Sequence, residues 1–281
     1  MRINTSFVAA IAAAASTLLA APAFAQTWTY ALFTQNATNA NAVGNSYSMT
    51  QGSVKLTVSA YSTTGAGSTI QAANLANYGA GSGFGVRNQL EIAAAGGVIN
   101  NVSSPNHATD NWNATDFLAL NFTNAVTAAA VNANITQLAT GWHNTSASYT
   151  CGSGTIACGT DSDISLLRWT GAGGPTITGG TIASLLTAGW SLVNNYADMV
   201  DDTLRATGTT GAQTSSWWLI SAYNSAWGTG TNTTGLSNGD DFVKVLSSVT
   251  ATVTGTPEPG SLALAGLALL GVYGARRKAA K

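Results

Sequence analysis

Charged side chains are scarce in this sequence: Asp, Glu, Lys and Arg make up 7% of the 281 residues, against roughly 25% in a typical soluble domain. Ten basic and eleven acidic residues give a formal net charge of −1. A nucleic-acid-binding protein needs a dense basic surface, which this sequence lacks. The ion-pair networks of heat-adapted proteins are excluded for the same reason.

Side chains that commonly carry catalysis are also few. His107 and His143 are the only histidines, and Glu91 is the only glutamate between residues 26 and 256. The sequence has no Gly-x-Ser-x-Gly elbow and no phosphate-binding glycine loop that ends in Lys. We therefore predict that the protein is not an enzyme. A polysaccharide-active enzyme, which would need two facing carboxyl groups, is a less favoured alternative.

Apolar residues are abundant enough to form a core, at 45% of the chain with eight Trp, eight Tyr and seven Phe. The N-terminal segment has the order of a secretory signal peptide: Arg2, then the apolar run 7–19, then Pro22 and an Ala-Phe-Ala sequence that ends at Ala25. We expect residues 1–25 to be a signal peptide. Export through the Sec machinery and cleavage by signal peptidase would then leave Gln26 as the new N-terminus.

A second segment with the features of a sorting signal covers residues 257–281. It consists of three consecutive parts: the motif Pro257-Glu258-Pro259, the apolar stretch 261–275, and the basic cluster Arg276-Arg277-Lys278. The two prolines favour an extended backbone that a processing enzyme can reach. The apolar stretch is short for crossing a bilayer, which takes about 20 residues, and the basic cluster is expected to stay on the cytoplasmic side.

This tripartite tail resembles the PEP-CTERM sorting signal, which exosortases of Gram-negative bacteria recognise. The resemblance implies transient anchoring in the inner membrane, processing near Pro257-Glu258-Pro259, and release to the cell surface or the exopolysaccharide matrix. The tail is then an address and contributes nothing to the fold.

The remaining segment, residues 26–256, is called the body of the chain. It has the size of one domain and carries five basic and ten acidic residues, a net charge of −5. Its recurrent signal is alternation of apolar and polar residues, which is typical of half-buried strands. Such runs cover residues 28–33, 54–61, 117–122, 164–169, 190–196, 217–223 and 242–253. Glycine-rich breakers, among them residues 79–85, separate the strands, and one short helix is predicted over residues 181–189. The pattern predicts an all-β fold, a two-sheet antiparallel sandwich that is jelly-roll-like.

Cys151 and Cys158 are the only cysteines. In an exported protein an isolated pair this close in sequence is expected to form a disulfide. We expect that bond to hold the tip of a surface hairpin.

Two short segments are rich in Asp, one with Asp110 and Asp116 and the other with Asp161 and Asp163. Carboxylates at such spacing can bind Ca²⁺, a cation that prefers oxygen ligands. Asp and Asn also cap turns with their own side chains, and this structural role is the favoured interpretation. The sequence therefore predicts no cofactor, with Ca²⁺ at these four residues as the alternative.

Three further residues are candidates for ligand binding: His107, Trp142 and Trp218. Tryptophan rings can stack on sugars, so Trp142 or Trp218 would line an aromatic groove in a carbohydrate-binding protein. Neighbouring residues of a strand point to opposite faces, however, so one of Trp217 and Trp218 is expected in the core. For His107, a structural role beside an Asp is the favoured interpretation.

Taken in order, several motifs of the body also resemble one subgroup of exosortase-dependent surface proteins. The matching segments are residues 104–108 (Ser-Pro-Asn-His-Ala) with 110–111, 116–118, 141–142, 161–165 (Asp-Ser-Asp-Ile-Ser), 189–190, 195–196, 216–224 and 241–244. The Cys-containing segment between Trp142 and Asp161 departs from the pattern as an insertion. The resemblance implies placement at the surface and brings no catalytic residues.

The sequence thus predicts an exported, exosortase-processed protein of the cell surface or exopolysaccharide matrix, structural and without catalytic activity. The alternative is a carbohydrate-binding module with a structural Ca²⁺ site. Its expected partners are the export machinery, the exosortase, the inner membrane for a time, and the exopolysaccharide; nucleic acid is not among them.

Overall fold

A computed structural model describes the chain over residues 26–31, 45–65, 69–78, 82–99, 102, 104–151, 156–231 and 234–253, together with Leu269. The predicted signal peptide (1–25), its cleavage point after Ala25, and the predicted sorting segment (257–281) with its apolar helix lie outside the described residues, Leu269 apart. The architecture below is that of one unit, residues 27–252.

Two antiparallel sheets and a small hairpin account for the strands within the described residues. The β16 sheet contains β1 (Gln26–Ala31), β5 (Asn74–Asn77), β6 (Phe84–Arg87), β7 (Thr109–Asp110), β9 (Ala133–His143), β14 (Arg205–Ala206) and β16 (Phe242–Val253). The β8 sheet contains β2 (Ser46–Gln51), β3 (Val54–Thr63), β4 (Ile70–Ala72), β8 (Asp116–Asn124), β12 (Ile164–Trp169), β13 (Trp190–Tyr196) and β15 (Trp217–Ala222). The hairpin is β10 (Thr150–Cys151) with β11 (Ile156–Ala157).

The predicted all-β, two-sheet antiparallel sandwich is confirmed. From β7 onward the chain repeatedly crosses between the sheets. Strands β8, β12–β13 and β15 lie in the β8 sheet, and the strands that precede and follow them, β7, β9, β14 and β16, lie in the β16 sheet. Such crossing connections are the jelly-roll-like feature of the fold. Within the described residues no helix is both long and apolar enough to cross a membrane.

The inner core lies between the two sheets. On β3, residues Leu56 and Val58 pair with Phe122 and Leu120 of β8, and all four are fully buried. Contact with the opposite sheet is visible where the Tyr47 ring of β2 lies 5.8 Å from the Phe84 ring of β6. Alternation along β3 therefore places every second side chain in this core, as its sequence predicts.

A second core, the outer core, covers the other face of the β8 sheet. Phe117 and Ala119, which alternate with the inner residues of β8, are buried there with Leu219 of β15. The cover consists of helix α2 (Ile182–Ala188) and the 3₁₀ helix Ser225–Trp227, and the Trp227 ring meets the Phe117 ring edge-on at 5.9 Å. The β8 sheet is thus buried on both faces, which is why β8 reads as a nearly continuous apolar run.

The predicted helix over residues 181–189 is confirmed as α2. Thr181 caps its first turn by accepting a hydrogen bond from Ser184 N at 3.2 Å, and Ser184 Oγ accepts one from Thr181 N at 2.7 Å. Gly189 ends the helix with a φ of 131°, and its N–H donates to the carbonyls of Leu185 and Leu186. A second helix, α1 (Gln89–Ala94), was not predicted, although Asn88 and Glu91 form a capping box at its start.

The prediction that residues 79–85 are only a breaker is wrong at its end, because Phe84 and Gly85 open strand β6. A Cβ atom at position 85 would lie 1.9 Å from the carbonyl oxygen of His107. Glycine is therefore required by the close approach of a neighbouring backbone inside a strand.

The outer core generates a test of the fold. Leu185→Ala removes a side chain that is 2% exposed between α2 and the β8 sheet, so we expect the free energy of unfolding to fall by about 2 to 5 kcal/mol. Urea denaturation measures this loss. The neighbouring Leu186→Ala, at a half-buried site, should cost clearly less, and equal losses for the two variants would contradict the packing described.

Candidate functional site

The carboxyl groups of the body gather at one end of the sandwich. Strands β8 and β12 begin at this end and β15 ends there, since Ile164 pairs with Ala222 and Ser221 pairs with Phe117. The four aspartates predicted from the sequence all lie here, in two clusters that correspond to the two Asp-rich segments. Asp110 and Asp116 belong to the first cluster, and Asp161 and Asp163 belong to the second.

The first cluster consists of Glu91, Asp110 and Asp116, each with a carboxylate oxygen within 4.8 Å of the others. They come from α1, β7 and the first residue of β8. Asn88 holds two of them together: its Nδ2 donates to Asp116 Oδ1 at 3.2 Å, while its backbone N–H donates to Glu91 Oε2 at 2.9 Å. The cap of α1 therefore places the Glu91 carboxylate beside the two buried aspartates.

Crowding and burial disfavour the ionised forms of this cluster. Burial raises the pKa of Asp116 to about 7. Burial also raises the pKa of Asp110 and of Glu91 well above the usual range, and repulsion between the carboxylates adds to the effect. Asp110 and Asp116 are almost completely buried, and one oxygen of each, Oδ2, has no hydrogen-bond partner among the described residues.

The second cluster surrounds the start of β12 and of β16. Its members are Asp161, Asp163, Asp198, Asp240 and Asp241. Asp161 and Asp241 meet in a parallel bridge, which brings the two strand starts side by side.

Unlike the first cluster, the second has its buried oxygens satisfied by donors. Asp163 accepts hydrogen bonds from the backbone N–H of Asp198 at 2.9 Å and of Ser237 at 3.2 Å. Asp241 accepts one from Asp163 N at 2.6 Å and one from Asn111 Nδ2 at 2.5 Å. Burial, followed by repulsion from neighbouring aspartates, still raises the pKa of Asp163 to about 7 and of Asp241 to about 10.

Asn111 connects the two clusters. Its backbone follows Asp110 of the first cluster, while its side chain donates to Asp241 and accepts from Asp241 N at 3.0 Å. The same Nδ2 donates to the carbonyl of Tyr223 at 2.7 Å. One amide therefore fixes the ends of β7, β15 and β16 relative to each other.

His107 and Trp142, two predicted ligand-binding residues, meet at a buried cation. The ammonium of Lys244 lies 4.3 Å from the centre of the Tyr78 ring and 4.1 Å from that of Trp142. The His107 ring packs on Tyr78 at 4.4 Å. Burial lowers the pKa of Lys244 to about 8 and that of His107 to about 3, and the nearby cations add to both shifts.

The prediction that Trp218 binds a ligand is wrong, because its side chain is fully buried. Its indole N–H is committed to the carbonyls of Ala133 and Ser215. The expectation that one of the paired tryptophans is core is thereby confirmed, and Trp217 is the half-buried one.

The predicted disulfide between Cys151 and Cys158 is confirmed and closes the β10–β11 hairpin. Both cysteines are buried with Ala108 and Phe242, and Trp112 and Trp142 pack against this group. The bond therefore also fastens the hairpin to the body, beyond holding a surface tip.

Sequence reasoning missed four members of the clusters: Glu91, Asp198, Asp240 and Asp241. Asn88 and Glu91 have the spacing of a capping box, so α1 was predictable from that signal. Asp198 follows β13 and Asp240 precedes β16, and only the sheet topology brings them to Asp161.

Comparison with known proteins adds information about one segment of the chain. Residues 256–278 match the family model of the PEP-CTERM protein-sorting motif. No curated protein and no solved structure matches the chain. The motif implies an exported bacterial protein that is sorted to the cell surface through an exosortase.

The second cluster generates a prediction about pH. Because the pKa values of Asp163 and Asp241 are raised in the folded state, the folded protein holds these protons more tightly than the unfolded chain does. The stability that these two groups contribute is therefore fully present below the ordinary Asp pKa. It is lost as the pH rises, through about 7 for Asp163 and on towards 10 for Asp241. We expect the second cluster to lower the free energy of unfolding in EDTA by about 1 to 2 kcal/mol between pH 6.5 and 8, and the raised pKa values of the first cluster act with the same sign.

Two groups with lowered pKa values contribute with the opposite sign, and the window lies between their ranges: His107 acts mainly below it and Lys244 mainly above it. Asp161→Asn should flatten the decline, because the charge of Asp161 raises the pKa of both Asp163 and Asp241. The control is Asp202→Asn, at an exposed site outside the clusters. A decline in Asp161→Asn as steep as in the parent protein would contradict this account.

Proposed function

We propose that an exosortase processes this chain at the inner membrane of a Gram-negative bacterium, and that its body acts at the cell surface or in the exopolysaccharide matrix without catalysing a reaction. The observation that carries the proposal is the sorting motif at residues 256–278. Residues 1–25 serve as the signal for the Sec machinery, and signal peptidase leaves Gln26 as the first residue.

The parts of the tail suit successive steps of this route. The basic cluster Arg276-Arg277-Lys278 holds the end of the chain on the cytoplasmic side, and the apolar stretch 261–275 occupies the membrane. Pro257 and Pro259 keep the intervening backbone free of helix, so a processing enzyme can bind it as an extended peptide.

The chemistry of the two carboxyl clusters supports a non-catalytic role. Hydrolysis of a glycosidic bond needs two carboxyl groups that the substrate reaches. Here Asp110 and Asp116 are closed off from solvent, and Asp163 and Asp241 already accept hydrogen bonds from the protein. His107 has a pKa far below neutrality, and Nδ1 of His143 is hydrogen-bonded to Asp201 Oδ1 at 2.9 Å.

Sorting is tested by deleting residues 257–281 in the natural host. We expect the truncated protein to accumulate in the periplasm instead of at the cell surface, because it has lost both the membrane stretch and the processing motif. Replacing Pro257, Glu258 and Pro259 by Ala should instead retain an unprocessed form in the inner membrane. Fractionation and immunoblotting distinguish these locations.

Lys281→Ala, which leaves all three parts of the signal intact, is the matched control and should be delivered normally. Unchanged surface delivery of the truncated protein would refute the sorting proposal.

We also propose a structural role for Ca²⁺ in the first cluster. The specific observation is the pair of buried oxygens, Asp110 Oδ2 and Asp116 Oδ2, that have no hydrogen-bond partner among the described residues. A divalent cation beside Glu91, Asp110 and Asp116 would neutralise their mutual repulsion and complete the coordination of these oxygens. The second cluster has no such oxygens, so this proposal does not extend to it.

Thermal unfolding with added Ca²⁺ tests this role. A cation that binds only the folded state stabilises it by about 2.7 kcal/mol at 100 times its dissociation constant, so we expect Ca²⁺ to raise the melting temperature and EDTA to reverse the rise. Asp116→Asn should abolish the effect, and Asp240→Asn in the second cluster should retain it. Insensitivity of the parent protein to both Ca²⁺ and EDTA would rule out the site.

A further inference from the structure

A groove of about 530 Å³ opens at the end of the β8 sheet opposite to the carboxyl clusters. It lies where β12 ends and β15 begins, since Arg168 pairs with Trp218 there. Its volume falls within the range of small-molecule sites, roughly 300 to 1,000 Å³. The lining combines two tryptophans, one arginine, a glycine-rich turn and small hydroxyl side chains.

The two tryptophans, Trp169 and Trp217, are half-buried side chains anchored on the outer core. Trp169 is fixed by a 2.9 Å hydrogen bond from its indole N–H to Gly173 O, and its ring packs so closely on Gly171 that a Cβ there would lie 2.4 Å from it. The indole N–H of Trp217 makes no hydrogen bond within the described residues. The groove thus offers rigid aromatic surface and one uncommitted donor.

Arg168 supplies the charge of the groove. It is one of five basic residues between positions 26 and 256. Across the described part of the chain its side chain forms no ion pair and no hydrogen bond, and it is half-exposed. Arg168 alternates with Trp169 and pairs with Trp218, so it borders the groove from the sheet face opposite to that of Trp169 and Trp217. A guanidinium presents several donors in one plane, which suits two oxygens of a carboxylate.

We propose that this groove binds an acidic polysaccharide that runs around the end of the β8 sheet, with a pyranose ring against Trp217 on one face and the carboxylate of a uronic acid on Arg168 at the other. The apolar C–H face of a pyranose suits an indole ring, and the sugar hydroxyls suit the indole N–H and the neighbouring hydroxyl side chains. Charge complementarity selects the acidic sugar, because Arg168 is the lining residue that carries a full charge. The inference goes beyond the proposed function and holds for the exported body whichever route delivers it.

Three polymers separate the contributions of ring and charge. Polygalacturonate has pyranose rings and carboxylates, dextran has rings without carboxylates, and polyglutamate has carboxylates without rings. Calorimetry and tryptophan fluorescence with the full chain at fixed ionic strength are expected to show the tightest binding for polygalacturonate.

Variants then assign the binding to the groove. Arg168→Gln should weaken polygalacturonate binding by about tenfold or more, equivalent to about 1.4 kcal/mol, and should leave any dextran binding unchanged. The matched control is Lys55→Gln, which removes another half-exposed cation that does not line the groove. Trp217→Phe preserves apolar packing on the outer core and should weaken the binding of both sugars; near-UV circular dichroism verifies that it folds.

The outcomes decide the proposal. Polygalacturonate binding that Arg168→Gln weakens and Lys55→Gln preserves would support it. It would be overturned by the absence of polygalacturonate binding, or by equal loss in the two charge variants. Polyglutamate binding as tight as that of polygalacturonate would also overturn it, since charge alone would then account for the affinity.

Discussion

Burial of the β8 sheet on both faces is the constraint on which the rest of the body depends. A two-layer sandwich normally leaves the outer face of each sheet to solvent. Here Phe117 and Leu219 on the outer face are as apolar as Leu118 and Ile220 on the inner face. The outer face therefore requires a cover. Helix α2, the 3₁₀ helix and the loops that join them to the neighbouring strands provide it. The Thr181 and Gly189 caps hold α2 to the short length that this cover needs.

The same sheet positions both candidate sites. One end of β8, β12 and β15 carries the carboxyl clusters, and the other end carries the groove between Trp169 and Trp217. Buried carboxylates cost free energy unless donors or a cation compensate them. The second cluster is compensated by backbone N–H groups and by Asn111, so it ties distant segments of chain together. The first cluster retains oxygens without donors, and this difference separates a structural network from a candidate cation site.

The strands of the β8 sheet were the easier ones to predict. Residues 54–61 and 164–169 alternate or run apolar, and they form β3 and β12. The β16 sheet was predicted mainly through residues 242–253, because β5 and β9 include asparagines that are more typical of turns. The role of Gly85 could not be predicted from its neighbours in sequence, because it depends on the backbone of His107, which is 22 positions away in the chain.

The candidate sites follow the same division. Spacing identified two Asp-rich segments as candidates for Ca²⁺, one with Asp110 and Asp116 and the other with Asp161 and Asp163. The tertiary structure added Glu91 to the first pair and Asp241 to the second, and neither spacing nor composition relates these residues to the pairs. The cause is that ligand sets assemble across strands that pair over long sequence separations.

The sequence by itself determined the sorting motif, helix α2, the disulfide partners and the alternation that buries one of two adjacent tryptophans. These features depend on residues that are close in the chain, so local physical chemistry specifies them. The tertiary structure alone decided that Trp218 is the buried one, that Trp217 joins Trp169 and Arg168 in a groove, and which carboxylates meet. Those outcomes depend on which face of a strand the second sheet covers, and that choice is made only when the whole sandwich packs.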